Sequence, residues 1–231
     1  MKFIITLIFI TIANITFGQF ALINDKDGYC NLRSSAEMGD NIQKKLYNGQ
    51  YIYCFVEPQG NWLAIDYKSD NEDDYNSGFI YKDRAKYITD YEKIPIVKSE
   101  KNKVVHRKDS INIVFAIQKF DKKKYKLTFD KEKKSSLRFI NKKHVWGTDG
   151  EIPTNEYQSI EVKIGNKNIA LPKSALENLF NISLTHSEIN YDRANDILYL
   201  VASNSDGAGS YTVLWSIEKG VYKGRFVKWD F

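Results

Sequence analysis

The clearest structural pattern in this chain begins with Gly28-Tyr29-Cys30-Asn31-Leu32-Arg33-Ser34. Its apolar and polar residues alternate after an opening glycine, which is the pattern of a half-buried β-strand. Three short runs with the same glycine punctuation follow it: Leu46-Tyr47-Asn48-Gly49, Gly60-Asn61-Trp62-Leu63-Ala64-Ile65 and Gly78-Phe79-Ile80. Short alternating strands separated by glycine turns predict a small all-β unit over residues 20–88.

The residues before this unit predict an export signal. Lys2 gives a short positive start, residues 3–12 are nearly all apolar, and Gly18 supplies a small side chain just before Gln19. This order is typical of a signal peptide, here covering residues 1–18. The apolar run is too short to span a bilayer, and the alternative is an uncleaved N-terminal anchor helix. We therefore expect a mature protein without a transmembrane span, in a periplasm or outside the cell.

The rest of the chain predicts a second β-rich domain of the α+β class. Residues 89–103 contain Pro95 and mixed charges and are predicted to be a linker, so that the second domain covers residues 104–231. Pro172 favours the start of one short helix over residues 173–180, because proline is favourable in the first turn. Strands are predicted over residues 111–117, 125–129, 137–140, 160–164, 169–171, 197–202, 211–217 and 222–229.

Composition agrees with a folded β-rich chain. Hydrophobic residues make up 42% of the sequence and aromatic residues 14%, which supports a sizeable core and argues against disorder. The only cysteines are Cys30 and Cys54, at alternating core positions of predicted strands. An oxidising compartment can join them if their strands are neighbours. The alternative is two buried thiols that act as small hydrophobic residues.

Positive charge is concentrated in residues 93–143. This segment has fifteen lysines, two arginines and five acids, so its net charge is 17 − 5 = +12 against +5 for the whole chain. Lysines on exposed strand edges deter aggregation, which is one interpretation. The other is attraction to anionic envelope polymers, lipid head groups or an acidic protein partner. No nucleic-acid motif accompanies the lysines, so no nucleic-acid partner is expected.

The four glycine-punctuated runs resemble the bacterial SH3-like (SH3b) domain family. The family pattern matches residues 28–34, 46–49, 60–65 and 78–80, and the resemblance covers about thirty per cent of the chain. It departs from the family at Cys30, where an aliphatic residue is usual, and after Ser34, where a glycine-proline pair is usual. Residues 104–231 resemble only uncharacterised bacterial proteins.

The resemblance implies an SH3-like barrel at the N-terminus and a targeting role. Such domains often bind cell-wall peptide or other envelope components, and they commonly accompany hydrolases. Aromatic surface for a ligand and charges that orient a peptide are expected from five residues: Asp27, Tyr29, Arg33, Trp62 and Tyr81. The structural alternative is that Trp62 anchors the barrel core and Arg33 pairs with an acid beneath the first loop.

A partner hydrolase is not visible in the sequence. Residues 104–231 contain no cysteine, which excludes a cysteine nucleophile there. The three histidines, His106, His144 and His186, occur singly and without a paired metal-ligand motif. A serine-nucleophile elbow is also absent from the sequence. We therefore predict no catalytic residues, no metal and no cofactor.

Two glycine-rich polar clusters remain in the second region. They are Trp146-Gly147-Thr148-Asp149-Gly150-Glu151, continuing to Glu156, and Asn204-Ser205-Asp206-Gly207-Ala208-Gly209-Ser210-Tyr211. Paired carboxylates such as Asp149 and Asp206 can cleave a glycosidic bond when they face each other, whereas Asp-Gly turns often only join strands. Candidate ligand-binding residues in these clusters are Trp146, Asp149, Asp206 and Tyr211.

Three functional hypotheses follow. The first is a non-catalytic exported envelope protein whose SH3-like module binds a cell-wall peptide or an envelope protein. The second is an inhibitor or immunity-type protein in which the second domain and its glycine loop block a toxin or hydrolase. The third is a carboxylate-dependent hydrolase that uses Asp149, Glu151 or Asp206.

Overall fold

The computed structural model describes residues 18–55, 58–69 and 75–230. The described chain is mainly β, as the sequence predicts, and its strands pair antiparallel in several sheets. Among these residues no helix is long and apolar enough to cross a membrane. The predicted signal peptide lies outside the described residues except for Gly18.

The N-terminal part is one seven-stranded sheet in the order β3-β2-β6-β5-β4-β1-β7. Inward-facing residues of its strands, among them Ala21, Leu32, Leu46, Ile65 and Ile80, form one buried cluster. The SH3-like assignment of this sheet stays a prediction. The strands are β1 (Gln19–Ile23), β2 (Tyr29–Arg33), β3 (Ile42–Tyr47), β4 (Tyr51–Cys54), β5 (Trp62–Lys68), β6 (Tyr75–Tyr81) and β7 (Ala85–Tyr87).

Thirteen strands follow in the described part of the chain. They are β8 (Glu92–Ile94), β9 (Ile96–Glu100), β10 (Lys103–Lys108), β11 (Ile111–Lys119), β12 (Leu127–Phe129), β13 (Leu137–Ile140), β14 (Lys143–His144), β15 (Asn155–Ile164), β16 (Lys167–Ile169), β17 (Ser187–Asp192), β18 (Ile197–Asn204), β19 (Tyr211–Glu218) and β20 (Val221–Trp229). Six one-turn 3₁₀ helices join strands: Lys82–Arg84, Ile88–Asp90, Lys122–Lys124, Lys173–Ala175, Leu184–His186 and Gly207–Gly209.

These strands form two five-stranded sheets and one small sheet. The orders are β16-β15-β11-β10-β9, β20-β19-β18-β17-β8 and β12-β13-β14. One buried cluster draws residues from both larger sheets, for example Phe115 and Val162 from one and Leu200 and Trp215 from the other. Burial of this apolar surface is the main force that holds the two sheets together.

Residues 89–103, predicted to be a linker, contribute two strands. β8 pairs with β17, and β9 pairs with β10. Both strands therefore belong to the sheets of the C-terminal part. The local sequence does not predict these strands, because Pro95 and the mixed charges are typical of a connector. The pairing partner of β8 is β17, which lies about a hundred residues further along the chain.

The helix predicted over residues 173–180 is wrong beyond its first turn. The chain makes only the 3₁₀ helix Lys173–Ala175, and Asn178 has a φ of +56°, which ends helical geometry. Tertiary contacts hold this shape: Trp215 Nε1 donates to the Ala175 carbonyl at 2.7 Å, and Arg225 Nη1 donates to the Glu177 carbonyl at 2.8 Å. These bonds use carbonyl groups that a continuing helix would engage itself.

Of the two alternatives for the cysteines, the structure has the pair of buried thiols and not the disulfide. Cys30 and Cys54 are free, buried thiols of one core cluster. Their strands are not neighbours, because β6 and β5 lie between β2 and β4. Burial raises the pKa of the Cys54 thiol to about 12 and that of Cys30 to about 11, so both stay protonated and act as small hydrophobic residues.

A third cluster joins the N-terminal sheet to the C-terminal part. Phe20, Leu22 and Tyr53 of the former pack with Tyr199, Leu214 and Phe226 of the latter. The Phe20 and Phe226 ring centroids lie 5.2 Å apart. This buried contact fixes one sheet against the other.

Candidate functional site

The five residues predicted in the N-terminal part line one open groove of about 320 Å³. The rest of its lining consists of Asp25, Cys30, Asn31, Met38 and Arg84. In sequence order the five are Asp27, Tyr29, Arg33, Trp62 and Tyr81, so the groove gathers side chains from a turn and three strands.

Strand pairing explains the aromatic side of the groove. Trp62 opens β5 and Tyr81 ends β6, and the two are directly opposite in the antiparallel register. Their rings meet edge to face, with centroids 5.4 Å apart and an interplanar angle of 80°. Both side chains are partly exposed, so the pair offers a ligand an aromatic surface.

Arg33 supplies the positive side of the groove. Arg33 is largely buried, and its guanidinium carbon lies 5.7 Å from the centre of the Trp62 ring. Nη1 donates to the Gly39 carbonyl at 2.9 Å and to Asn41 Oδ1 at 2.6 Å, so Arg33 holds the 34–41 loop rather than pairing with an acid. Nε and Nη2 make no hydrogen bond to the described residues, which leaves two donor groups for a ligand.

Asp27 and Tyr29 form the opposite end of the groove. The Asp27 backbone amide donates to Asp25 Oδ1 at 2.8 Å, which holds the turn while the Asp27 side chain stays exposed. Asp25 itself is buried and paired with Arg84 at 2.7 Å. The Lys45 ammonium lies 3.8 Å from the centre of the Tyr29 ring. The groove therefore presents an exposed Asp27 carboxylate that makes no ion pair with the described residues, together with aromatic rings and guanidinium donors.

The four candidates of the second region do not form a comparable surface. Trp146 and Tyr211 are almost completely buried, and the Trp146 ring packs 4.4 Å from the Trp229 ring. Tyr211 Oη donates to the Phe180 carbonyl at 3.1 Å, which is a core contact. Both residues are therefore corrected to structural roles, since a ligand cannot reach them.

The two glycine-rich clusters do lie against each other. Ser205 Oγ donates to the Gly147 carbonyl at 2.9 Å, and Asn181 Nδ2 donates to the same carbonyl at 2.7 Å. Asp149 and Asp206 are exposed on these loops. The Ser205 hydrogen bond therefore joins the two loops.

The sequence does not predict one polar cluster, which is centred on Glu156. Glu156 is buried, and it accepts hydrogen bonds from Tyr125 Oη and from Gln118 Nε2, the latter at 2.9 Å. The three side chains line a second cavity, of about 560 Å³. The sequence placed Glu156 only at the end of a glycine-rich cluster, because nothing local indicates burial of this glutamate.

The described residues contain no group of three or more His, Cys, Asp or Glu side chains that can hold a metal ion. His106 is buried and bonded, with Nδ1 3.1 Å from the Ile94 carbonyl oxygen and Nε2 2.9 Å from Ser187 Oγ.

No protein-family model, curated protein or solved structure matches this chain.

Proposed function

We propose that this chain is a non-catalytic binding protein of the bacterial envelope, with its binding site in the N-terminal groove. The observation that carries the proposal is the convergence of Asp27, Tyr29, Arg33, Trp62 and Tyr81 on one surface. They are spread over positions 27–81, and the neighbouring strands β2, β6 and β5 bring them together in one groove.

The groove chemistry favours a peptide ligand. Trp62 and Tyr81 offer apolar faces, Asp27 offers a carboxylate for an amine, and Arg33 has N–H donors for a carboxylate or carbonyl. Cell-wall peptides carry both amine and carboxylate groups, so they fit this pairing. We therefore name cell-wall peptide as the ligand class, with an envelope protein presenting a similar peptide as the alternative.

Export is part of the proposal. Strand β1 begins at Gln19, so cleavage after residue 18 leaves its pairing with β4 intact. Expression of the full chain with its leader, followed by cell fractionation and N-terminal sequencing, tests this point. We expect a periplasmic or secreted product that begins at Gln19, and a cytoplasmic product with an intact leader would overturn it.

Retention on purified peptidoglycan tests the binding proposal. The Trp62→Ala and Asp27→Asn variants remove an aromatic face and a charge, and each is expected to weaken retention of the full chain by about tenfold. Phe139→Ala is the matched control, because Phe139 is a partly exposed aromatic ring beside Arg138, with the guanidinium carbon 5.5 Å from its centre. Equal retention of all variants and the parent would contradict the proposal.

Point variants are preferable to deletion of the N-terminal sheet. Phe20, Leu22 and Tyr53 pack against Tyr199 and Phe226, so deletion would expose the C-terminal side of the junction. A truncated chain that failed to bind would then report misfolding rather than loss of a site.

The lysine-rich segment suggests an auxiliary contact with anionic envelope polymers. The three lysines of the 3₁₀ helix Lys122–Lys124 are exposed and form no ion pair with the described residues. If they contribute, retention on anionic polymer falls steeply as salt rises from low to physiological concentration, because screening weakens exposed charges. Salt-independent retention would assign binding to the groove alone.

The second candidate is an inhibitor or immunity-type protein. It is favoured by one observation: Asp206 is exposed on a loop that Ser205 fixes to the Gly147 carbonyl. A held loop with an exposed carboxylate is suited to enter a partner's cleft. This candidate predicts that a specific hydrolase is captured by the parent chain and by the groove variants. If Asp206→Ala no longer captures it, this candidate is favoured over the first.

A further inference from the structure

The cavity around Glu156 is a separate feature from the N-terminal groove. It has a volume of about 560 Å³ and lies between strand β15 and the segment that follows β16. Its apolar walls come from Ile160, Leu171, Leu176 and Phe180, and Glu156 lies in its lining. A cavity of this size and mixed lining is typical of a small-molecule site.

A β-bulge explains why a glutamate lies there. In the pairing of β11 with β15, Ala116 is opposite Ser159 and Ile117 is opposite Tyr157, so Gln158 is the extra residue. The bulge shifts the alternation by one residue, which puts Tyr157 in the main core and directs Glu156 to the other face of the sheet. Bulges often re-aim a side chain in this way next to a binding site.

Glu156 is buried without a countercharge. Its oxygens accept hydrogen bonds from Gln118 and Tyr125, both neutral donors, and it makes no ion pair with the described residues. Burial and the neighbouring Glu156 carboxylate raise the pKa of Tyr125 well above its usual range, so the phenol remains a donor. A carboxylate has about four acceptor positions, so two neutral donors leave capacity on Glu156.

A buried carboxylate is costly unless a cation accompanies it. Two lysines line the cavity, Lys143 and Lys173. Lys143 is already paired with Glu177, and Lys173 is exposed and makes no ion pair with Glu156. A ligand that brings its own positive charge into the cavity would therefore supply the missing partner. The apolar walls would pack against the aliphatic part of such a ligand.

We propose that this cavity binds an aliphatic primary amine, with its ammonium group on Glu156 and its alkyl chain against Leu171 and Leu176. The amine is either a free small molecule or the side chain of a lysine, since both present the same ammonium on a flexible apolar stem. This site is independent of the proposed wall-binding groove.

Binding of three matched probes to the full chain tests the proposal. Hexylamine, hexan-1-ol and hexanoate share an alkyl chain and differ only in the head group, and their binding can be followed by calorimetry or NMR. We expect saturable binding of hexylamine, with hexanol and hexanoate weaker by about tenfold or more. Equal binding of amine and alcohol, or no amine binding, would overturn the proposal.

Variants then locate the charge. Glu156→Gln keeps the size of the side chain and removes its charge, and we expect it to weaken hexylamine by about tenfold or more. Glu161→Gln is the control, because Glu161 is an exposed glutamate of the same strand outside the cavity lining, and it should leave hexylamine binding unchanged. Retained binding in Glu156→Gln would contradict the assignment.

A second variant tests the same contact without changing Glu156, in case Glu156→Gln does not fold. Tyr125→Phe removes one donor from the carboxylate but keeps its charge, so hexylamine should bind at least as tightly as to the parent. Loss of binding in a folded Tyr125→Phe protein would count against the ammonium–carboxylate contact. Comparison of hexylamine with Nα-acetyl-lysine methylamide separates a free amine from a lysine side chain as the natural ligand.

Discussion

His106 is a buried histidine that links three strands. It lies on β10, contacts the Ile94 carbonyl of β8 through Nδ1, and contacts Ser187 of β17 through Nε2. Burial lowers the pKa of this imidazole, so the folded state holds it neutral. Two rings, those of His106 and Phe115, are also in contact, with centroids 5.9 Å apart.

The pH dependence of stability follows from this shift. An unfolded histidine has a pKa of about 6.5, so below that value the unfolded chain binds a proton that the folded chain excludes. The free energy of unfolding should therefore fall as the pH falls below about 6.5 and be constant with respect to this group above it. Urea unfolding at a series of pH values measures the slope.

Matched variants assign the slope to one residue. His106→Gln should reduce the pH dependence of the unfolding free energy, because the titrating group is gone. His186→Gln removes an exposed histidine and should leave the dependence as it is in the parent. A parent-like slope in His106→Gln would show that other groups cause the acid sensitivity.

Among the elements, the loop at Gly147 makes one close contact with the segment around Phe180. Gly147 has a φ of +99°, and a Cβ there would lie 2.2 Å from the Phe180 carbonyl oxygen. The backbone bridge between Trp146 and Leu179 brings the two segments this close. Only glycine satisfies both the conformation and the space.

Substitution of this glycine should therefore be severe. Gly147→Ala is expected to lower the free energy of unfolding by about 3 kcal/mol, from strain and overpacking together. Gly165→Ala is the control, because Gly165 also has a positive φ but no atom within 4 Å of its Cβ position. We expect it to cost about 1 kcal/mol, and equal effects in chemical denaturation would refute the contact argument.

The elements that could be predicted from sequence are those with local signals. Strands such as β11, β13 and β18 to β20 follow from alternation and turn residues, and they occur where the pattern indicates. The segment after Pro172 has a helical pattern, but side chains of Trp215 and Arg225 bind its carbonyls and prevent the helix. Strand β8 and the burial of Glu156 depend on residues distant in the sequence, so no local sequence pattern predicts them.

The candidate sites divide in the same way. The groove residues came from resemblance to a family pattern rather than from physical chemistry, and their grouping around Trp62 required the fold. Trp146 and Tyr211 were chosen for aromatic and glycine-rich surroundings, which equally describe a tightly packed core. The sequence alone does not distinguish a ligand-binding surface from a packed core, because it does not show which side chains are exposed to solvent.

At the scale of the whole molecule, a buried ion pair joins the N-terminal sheet to the C-terminal part. Lys228 Nζ lies 3.2 Å from Asp66 Oδ2, and both side chains are almost fully buried. Ser77 Oγ also donates to Asp66 Oδ1 at 2.5 Å. The ammonium lies 4.7 Å from the centre of the Tyr75 ring, which adds a cation–π contact.

Removal of one partner should destabilise the junction. Lys228→Met leaves Asp66 buried without its cation and is expected to cost about 3–5 kcal/mol in the free energy of unfolding. The double variant Lys228→Met with Asp66→Leu should recover most of that loss, because no buried charge remains. Additive losses in the double variant, measured by denaturant unfolding, would contradict an energetic coupling between the two residues.

The groove around Trp62 is proposed to bind a cell-wall peptide, and an NMR titration of the full mature chain with soluble peptide fragments released from peptidoglycan tests this binding. We predict saturable shifts confined to Tyr29, Arg33, Trp62, Tyr81 and their neighbours, with unchanged signals around Phe139. Saturable shifts elsewhere in the molecule, or no shifts with any wall fragment, would contradict the account.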